Sequence, residues 1–243
     1  MSWDDEYPRY VTVAQRKQLA AQKAESLKLQ GYKLKPLGEL KSRTKIASSF
    51  WGRSWCRHLE SFSDYDSRLP RGRSYVRNGA ILHLSIEPGR IEAMVHGSEL
   101  YELSIEIEPL SPEQWTAVKQ ACQGKIASLI ELLQGKLSDE IMRVVTHPHS
   151  GLFPQPEQIH FNCNCPDWAD MCKHMAAVLY GVGARLDDCP ELLFKLRGVD
   201  QSELIHLDCA RSGIARSSRR SRRRSLSDDA VSDVFGISTE DEK

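Results

Sequence analysis

The stretch from His160 to His174 reads HFNCNCPDWADMCKH and places three thiols and one imidazole, Cys163, Cys165, Cys172 and His174, within a few turns of chain. The spacing is Cys-x-Cys, six residues, then Cys-x-His. Three thiolates and an imidazole form a complete tetrahedral ligand set for one structural Zn²⁺, with no position left open for water or substrate. A lone Cys-x-Cys is more often a pair of buried cysteines. Four ligand-type residues on one local frame constrain the chain much further, because the fold must bring all four to a point.

The flanking residues supply that frame. Gln158–Cys165 alternates like a strand, which puts Phe161, Cys163 and Cys165 on one face and His160, Asn162 and Asn164 on the other. Pro166 has no N–H to donate and stops the ladder. Beyond the ligands, Met175, Val178, Leu179, Val182 and Leu186 recur at helical spacing and predict one apolar stripe. Asp170 is the expected cap, so that Cys172 and His174 fall in or beside the first turn, where free N–H groups favour a thiolate. Three thiolates, a neutral imidazole and Zn²⁺ sum to one negative charge. The loop amides of residues 166–171 and Lys173 are the nearest expected donors.

Upstream, three alternating runs predict an antiparallel meander. Ala80–Glu87 sets Leu82, Leu84 and Ile86 on one face. Arg90–His96 turns Ile91, Ala93 and Val95 inward, and Tyr101–Glu108 alternates apolar and polar residues. Helices are predicted at Thr12–Gln30, at Ser49–Phe62 with Phe50, Trp51, Trp55 and Leu59 in register, and from Ser111, whose stripe Trp115, Val118, Cys122, Ile126, Leu129 and Leu133 runs to Gly135. A further helix is expected at Ser138–Val145. Asp188-Cys-Pro-Glu191 and Asp200-Gln-Ser-Glu203 read as box-like starts of two more. Arg68–Gly79 is rich in arginine and turn residues. The fold class is therefore α+β: a β meander plus helices, a strand–loop–helix zinc finger and a disordered C-terminal tail.

The organisation expected is a mobile basic arm over 1–48, a short helix and meander over 49–110, a helical connector over 111–150, the zinc finger with following helices over 151–210, and the tail over 211–243. The formal net charge of zero conceals segregation. Residues 1–50 carry ten Lys/Arg against five Asp/Glu, residues 211–224 seven arginines and no acid, and residues 225–243 six acids and one lysine. Low apolar content and clustered charge predict disorder for the tail. Its acidic part contains one apolar patch, Val231–Ile237. Seven cysteines, four of them scattered (Cys56, Cys122, Cys189, Cys209), fit reduced thiols better than a disulfide framework. The chain shows no membrane-length apolar run and begins with an acidic segment, so a cytoplasmic protein is expected.

Arg53, Arg57, Arg68, Arg71, Arg73 and Arg77 cluster near Trp55 and Tyr75. Arg71, Arg73 and Arg77, with Arg216, Arg219, Arg220, Arg222, Arg223 and Arg224 of the tail, are the candidate nucleic-acid contacts; the bland alternative is a solvated surface. His147-Pro-His149 lacks nearby partner ligands and reads as a polar linker. Glu60, Asp64 and Asp66 lack a base or a cleft. No phosphate loop, nucleophile elbow or dinucleotide fingerprint is present, so no enzyme and no small-molecule substrate are expected.

The ligand segment carries the signature of the SWIM zinc finger. The chain resembles bacterial SWIM zinc finger proteins over most of residues 50–210, through that motif, through Trp51-Gly-Arg-Ser-Trp55, and through Arg71-Gly-Arg-Ser-Tyr75, Gly79, Pro88-Gly89, Val95-His-Gly-Ser98 and Tyr101-Glu-Leu-Ser-Ile105 of the meander. The resemblance implies one structural zinc ion. It also implies a setting, since such proteins are often encoded beside a Swi/Snf-type helicase-like ATPase, and eukaryotic SWIM domains occur in recombination, transposase-related and ubiquitin-pathway proteins. DNA or RNA and such an ATPase are thus the expected partners of a zinc-binding adaptor acting with the ATPase or in DNA repair or recombination. The alternative is a protein–protein module that binds no nucleic acid. The resemblance does not extend to the tail.

Overall fold

The computed structural model describes residues 11–42, 44–62, 67–126 and 128–204. Asp64, Asp66, Cys209 and the whole tail, with its candidate contacts Arg216, Arg219, Arg220, Arg222, Arg223 and Arg224, lie outside them. Among the described residues, β1 (Ile81–Glu87), β2 (Arg90–His96), β3 (Leu100–Ile107) and β4 (Ile159–Cys163) form one antiparallel sheet in that order. Eight helices accompany it: α1 (Val13–Leu29), α2 (Phe50–Glu60), α3 (Leu69–Arg77), α4 (Pro112–Cys122), α5 (Leu129–Gln134), α6 (Asp139–Val145), α7 (Lys173–Arg185) and α8 (Glu191–Leu196). The chain is α+β. No helix among the described residues is long and apolar enough to cross a membrane.

The expected meander forms, but the zinc strand joins it as a fourth member. β4 pairs with β3 from Ile107↔Ile159 to Leu103↔Cys163. Asn164 carries the pairing one step further, its amide and side chain both meeting Glu102. Cys163 at the end of this strand is thereby fixed to a sheet whose other strands lie far upstream in sequence, and Cys165 follows just beyond the pairing.

One irregularity redirects β1. Ile81 lies opposite Val95 and His83 opposite Met94, so two residues face one and Leu82 is the extra member of a bulge. Leu82 therefore does not share a face with Leu84 and Ile86, as strict alternation predicted. It packs instead with Ala20 and Leu27 of α1, beside Leu34, Met94 and Leu100. This patch docks the segment expected to be mobile. The backbone of residues 34–36 follows it, with Lys35 N–H donating to His83 Nδ1 and Leu84 N–H to the Lys35 carbonyl.

The main core lies on the other face. Ile91, Val95, Ile105 and Ile107 line it, and α7 lies across them. The single apolar stripe expected for α7 is an understatement, because His174 to Gly183 are all buried. Helices α2 and α3 cover the sides that the sheet leaves open, and a helix buried all round reads as apolar all round. Trp51 and Trp55 of α2 are fully buried. Each indole N–H finds a carbonyl, of Leu132 at 2.9 Å and Leu179 at 2.8 Å, which meets the polar requirement of a buried tryptophan.

Three helix expectations are corrected. The arginine-rich stretch from Arg68 is largely a helix, α3. Leu69, Gly72 and Val76 supply its buried face, and Pro70 sits in its first turn, where no N–H is needed. The long helix expected from Ser111 to Gly135 is two. Gly124 takes a positive φ of 73° and breaks it, and Ser128 caps a new helix by accepting from Glu131 N–H. The cap of α8 is Pro190 rather than Asp188; Asp188 pairs with Lys41 instead.

Helix α3 approaches α7 through Gly72. A Cβ there would stand 2.7 Å from Ala176 Cβ, 2.8 Å from Ala176 C and 2.9 Å from Ala177 N. Alanine in place of glycine ordinarily gains up to about 1 kcal/mol of helix propensity. Here the obstacle is backbone, and overpacking of this kind costs roughly 1–3 kcal/mol. Gly72→Ala is expected to lower the denaturation midpoint despite the better propensity. A raised midpoint would show that the two helices part without cost.

Candidate metal centre

The four ligand residues arrive on two elements. Cys163 ends β4, Cys165 follows in the loop, Cys172 is the N-cap of α7 and His174 lies in its first turn. The expected cap, Asp170, is displaced by two residues, because Cys172 itself takes the extended N-cap conformation (φ −81°, ψ 169°). Its carbonyl accepts from Ala176 N–H and starts the helix. The Met175 amide of that turn, with the positive end of the helix dipole, thus faces the Cys172 sulfur.

The ligand atoms of Cys163, Cys165, Cys172 and His174 all lie within 4.8 Å of one another. His174 presents Nδ1, 4.0 Å from Cys163 Sγ and 3.9 Å from Cys172 Sγ. A tetrahedron with Zn–S of about 2.3 Å has edges of about 3.8 Å, so His174 Nδ1 already stands near the required distance from two sulfurs, and a closure of at most about 1 Å between the widest pair completes the set. Cys172 and His174 are buried and the other two half-buried. The Cys172 thiol is drawn well below its ordinary range, first by the hydrogen bond from Cys163, against the opposing effect of burial, with His174 and the Met175 N–H assisting. Cys163 is raised by the same contact. Sulfurs this close compete for one proton, and a divalent cation satisfies them together. The residues present fit a Cys₃His metal site, such as one for zinc.

Aromatic rings hold the imidazole. Tyr101 of β3 stacks on His174 with centroids 4.0 Å apart and planes at 21°. Tyr75 of α3 meets it edge-on at 5.3 Å. The turn after β2 passes so close that a Cβ on Gly97 would fall 2.9 Å from Tyr101 Cε2, 3.1 Å from the Tyr75 hydroxyl and 3.2 Å from His174 Nε2. Glycine is needed there for space. The ligand loop is organised by Asp167, which accepts from Ala169 N–H and pairs with Arg68 at 3.1 Å. Sequence spacing named Lys173 for this neighbourhood and overlooked Asp167, whose partner Arg68 is remote in sequence. It also overlooked Trp168, which stands 94 % exposed at the tip of the loop.

The other candidates separate. Arg71 and Arg77 are exposed on α3, and Arg77 donates to the Thr44 carbonyl. Arg73 is turned inward: it pairs with Glu60 at 2.7 Å, donates to the Tyr180 hydroxyl and lies over that ring. His147 Nδ1 accepts from the amides of His149 and Ser150, which makes that histidine pair part of a turn. Cys56 and Cys122 are pushed up by burial, to about 12 and about 11, and behave as small apolar residues.

No family model matches the chain, and no solved structure matches it. A curated protein does. The uncharacterized protein Rv2102 of Mycobacterium tuberculosis is 31% identical over 167 residues, which cover 68% of this chain and 60% of that protein. The chain thus spans less than two thirds of that relative's length.

Freshly purified protein is expected to carry one zinc per chain by elemental analysis, and Cys172→Ser or His174→Ala to lose it. Because metal binding to such a site is folding free energy, each variant should melt at least about 10 °C lower, a shift of several kcal/mol for a chain of this size. Full zinc occupancy in both variants would remove these residues from the ligand set.

Proposed function

We propose that the protein is a zinc-stabilised adaptor of the SWIM type that associates with nucleic acid, beside a Swi/Snf-type ATPase or in DNA repair or recombination. Its metal holds the fold and performs no chemistry, and its role is non-catalytic. The observation that carries this reading is a set of cations without carboxylate partners, three of them on the flank nearest the centre. Arg16 of α1 and Arg71 of α3 both bear electrostatically on Tyr75, the residue set edge-on against His174. Lys23 of α1 bears in the same way on His96, at the end of β2. Arg53 and Arg57 are exposed one turn apart on α2. None of these five is in an ion pair among the described residues. Cations without carboxylate partners on rigid helices suit sequence-independent phosphate contact.

Arg73 is left out of the proposed interface because Glu60 neutralises it. The ligand pattern and the flanking Trp51-Gly-Arg-Ser-Trp55 support the SWIM assignment. A second reading, a protein–protein module without nucleic acid, is favoured by Trp168: so exposed a tryptophan on a rigid metal loop suits an anchor for a partner's pocket.

Binding of labelled single- and double-stranded DNA at two salt concentrations tests the proposal. Arg16→Glu with Arg71→Glu is expected to weaken binding alike across sequences. It should also flatten the log–log salt dependence on duplex DNA, by roughly 0.9 for each phosphate that the variant no longer neutralises. Zinc content should be unchanged. No binding at low salt, or wild-type affinity in the double variant, would transfer the weight to the protein–protein reading.

A further inference from the structure

The opposite flank of α1 borders a groove of about 810 Å³. Helical periodicity separates the two flanks: Arg16 and Lys23 share one, and Lys17, Ala21 and Lys28 share the other. The groove floor is aliphatic, with Ala24 of α1, Leu34, Leu37 and Leu40 of the following segment, and Ile81 of β1. Lys17, Lys28 and Arg77 stand among its polar lining, against one carboxylate, Glu39. None of the three cations is in an ion pair among the described residues. The groove is open where Gly38 and Gly79 line it, since a Cβ on either would meet nothing within 4 Å.

Helix α1 is also short of partners. Of its 17 residues only Ala20 and Leu27 are buried, and Ala21 is exposed although it lines the groove. A helix with so thin an apolar face draws little stability from its own core contact. A ligand that laid apolar side chains along Ala21, Ala24 and Leu37 would complete its burial.

We propose that this groove docks an acidic amphipathic helix of a partner protein. Its aliphatic face lies on the floor, and its carboxylates meet Lys17, Lys28 and Arg77. Helix-in-groove recognition combines these two features, an apolar trench and flanking charge of one sign. Nucleic acid suits the site less well. No aromatic ring among the described residues lines it for base stacking, and a phosphate backbone leaves an aliphatic floor uncovered. The proposal does not depend on nucleic-acid binding by the other flank.

Fluorescence anisotropy on the full-length, zinc-loaded protein tests it. The probe is a labelled peptide of about 18 residues, five helical turns, with leucines at i, i+3, i+4 and i+7 and glutamates elsewhere. It should bind, while a scrambled peptide of the same composition and a lysine-for-glutamate version should each bind at least roughly tenfold more weakly. Ala21→Glu sets a carboxylate in the groove at an exposed position. It should weaken the amphipathic peptide roughly tenfold, with zinc content and far-ultraviolet dichroism unchanged. Lys17→Glu with Lys28→Glu should do the same, and decides the matter should Ala21→Glu fold poorly. Equal binding of the scrambled or lysine peptide overturns the proposal, as does undiminished binding by both variants. An oligonucleotide that binds more weakly to Ala21→Glu, with no peptide binding, overturns it in favour of nucleic acid.

Discussion

The structure depends on what the first turn of α7 must do at once. Cys172 caps this helix and His174 lies in its first turn, so two of the four ligands are set by where the helix begins. The same helix is buried from His174 to Gly183 and is held by the sheet, α2 and α3. Its position is therefore determined twice, by the convergence of the Cys₃His group at one end and by close packing along its length. Close packing leaves such a helix little freedom to shift. This explains why small residues line its contacts: Gly72 and Ala176 let α3 lie close, and Gly183 faces Cys56.

Charge is distributed in keeping with this. Where an arginine must reach the core helix, it is neutralised, as Arg73 is by Glu60 beside Tyr180. Where an arginine steadies the ligand loop, it meets Asp167. The cations of α1, and Arg71 and Arg77 of α3, have no such carboxylate partners among the described residues. Surface cations of this kind contribute little to stability, so their arrangement bears on binding. The two flanks of α1 differ in what accompanies the charge: Tyr75 and the metal centre on one side, an aliphatic trench on the other.

Local signals in the sequence were reliable where they involved neighbours in the chain. The grouping of Cys163, Cys165, Cys172 and His174, the alternation of β2, the helix starts at Thr12, Ser49 and Ser138 and the spacing of Trp51, Trp55 and Leu59 are all short-range patterns, and each is found in the structure. What escaped were features decided by distant residues. The pairing of β4 with β3 depends on a register between Leu103 and Cys163, which no local pattern carries. The bulge at Leu82 is needed because α1 requires an apolar patch on the outer face, whereas alternation alone puts Leu82 inside. Helix α3 was obscured by Gly72, a poor helix former by propensity that the approach of α7 requires. Asp170 looked the better cap than Cys172 because side-chain preference says nothing of where a metal needs the helix to start.

The edge position of β4 has a consequence for how the chain assembles. β1, β2 and β3 are joined by short turns, and their hairpins close at small entropic cost. β4 must return from beyond α4, α5 and α6 to pair with β3. It brings Cys163 to the sheet only after that long loop has closed. The sequence thus joins two locally built units: three strands connected by short turns, and a ligand segment whose four residues lie within residues 163–174. A metal held by that segment would tie β4 to the first turn of α7, so that the pairing of β4 with β3 would also fix where the core helix begins on the sheet.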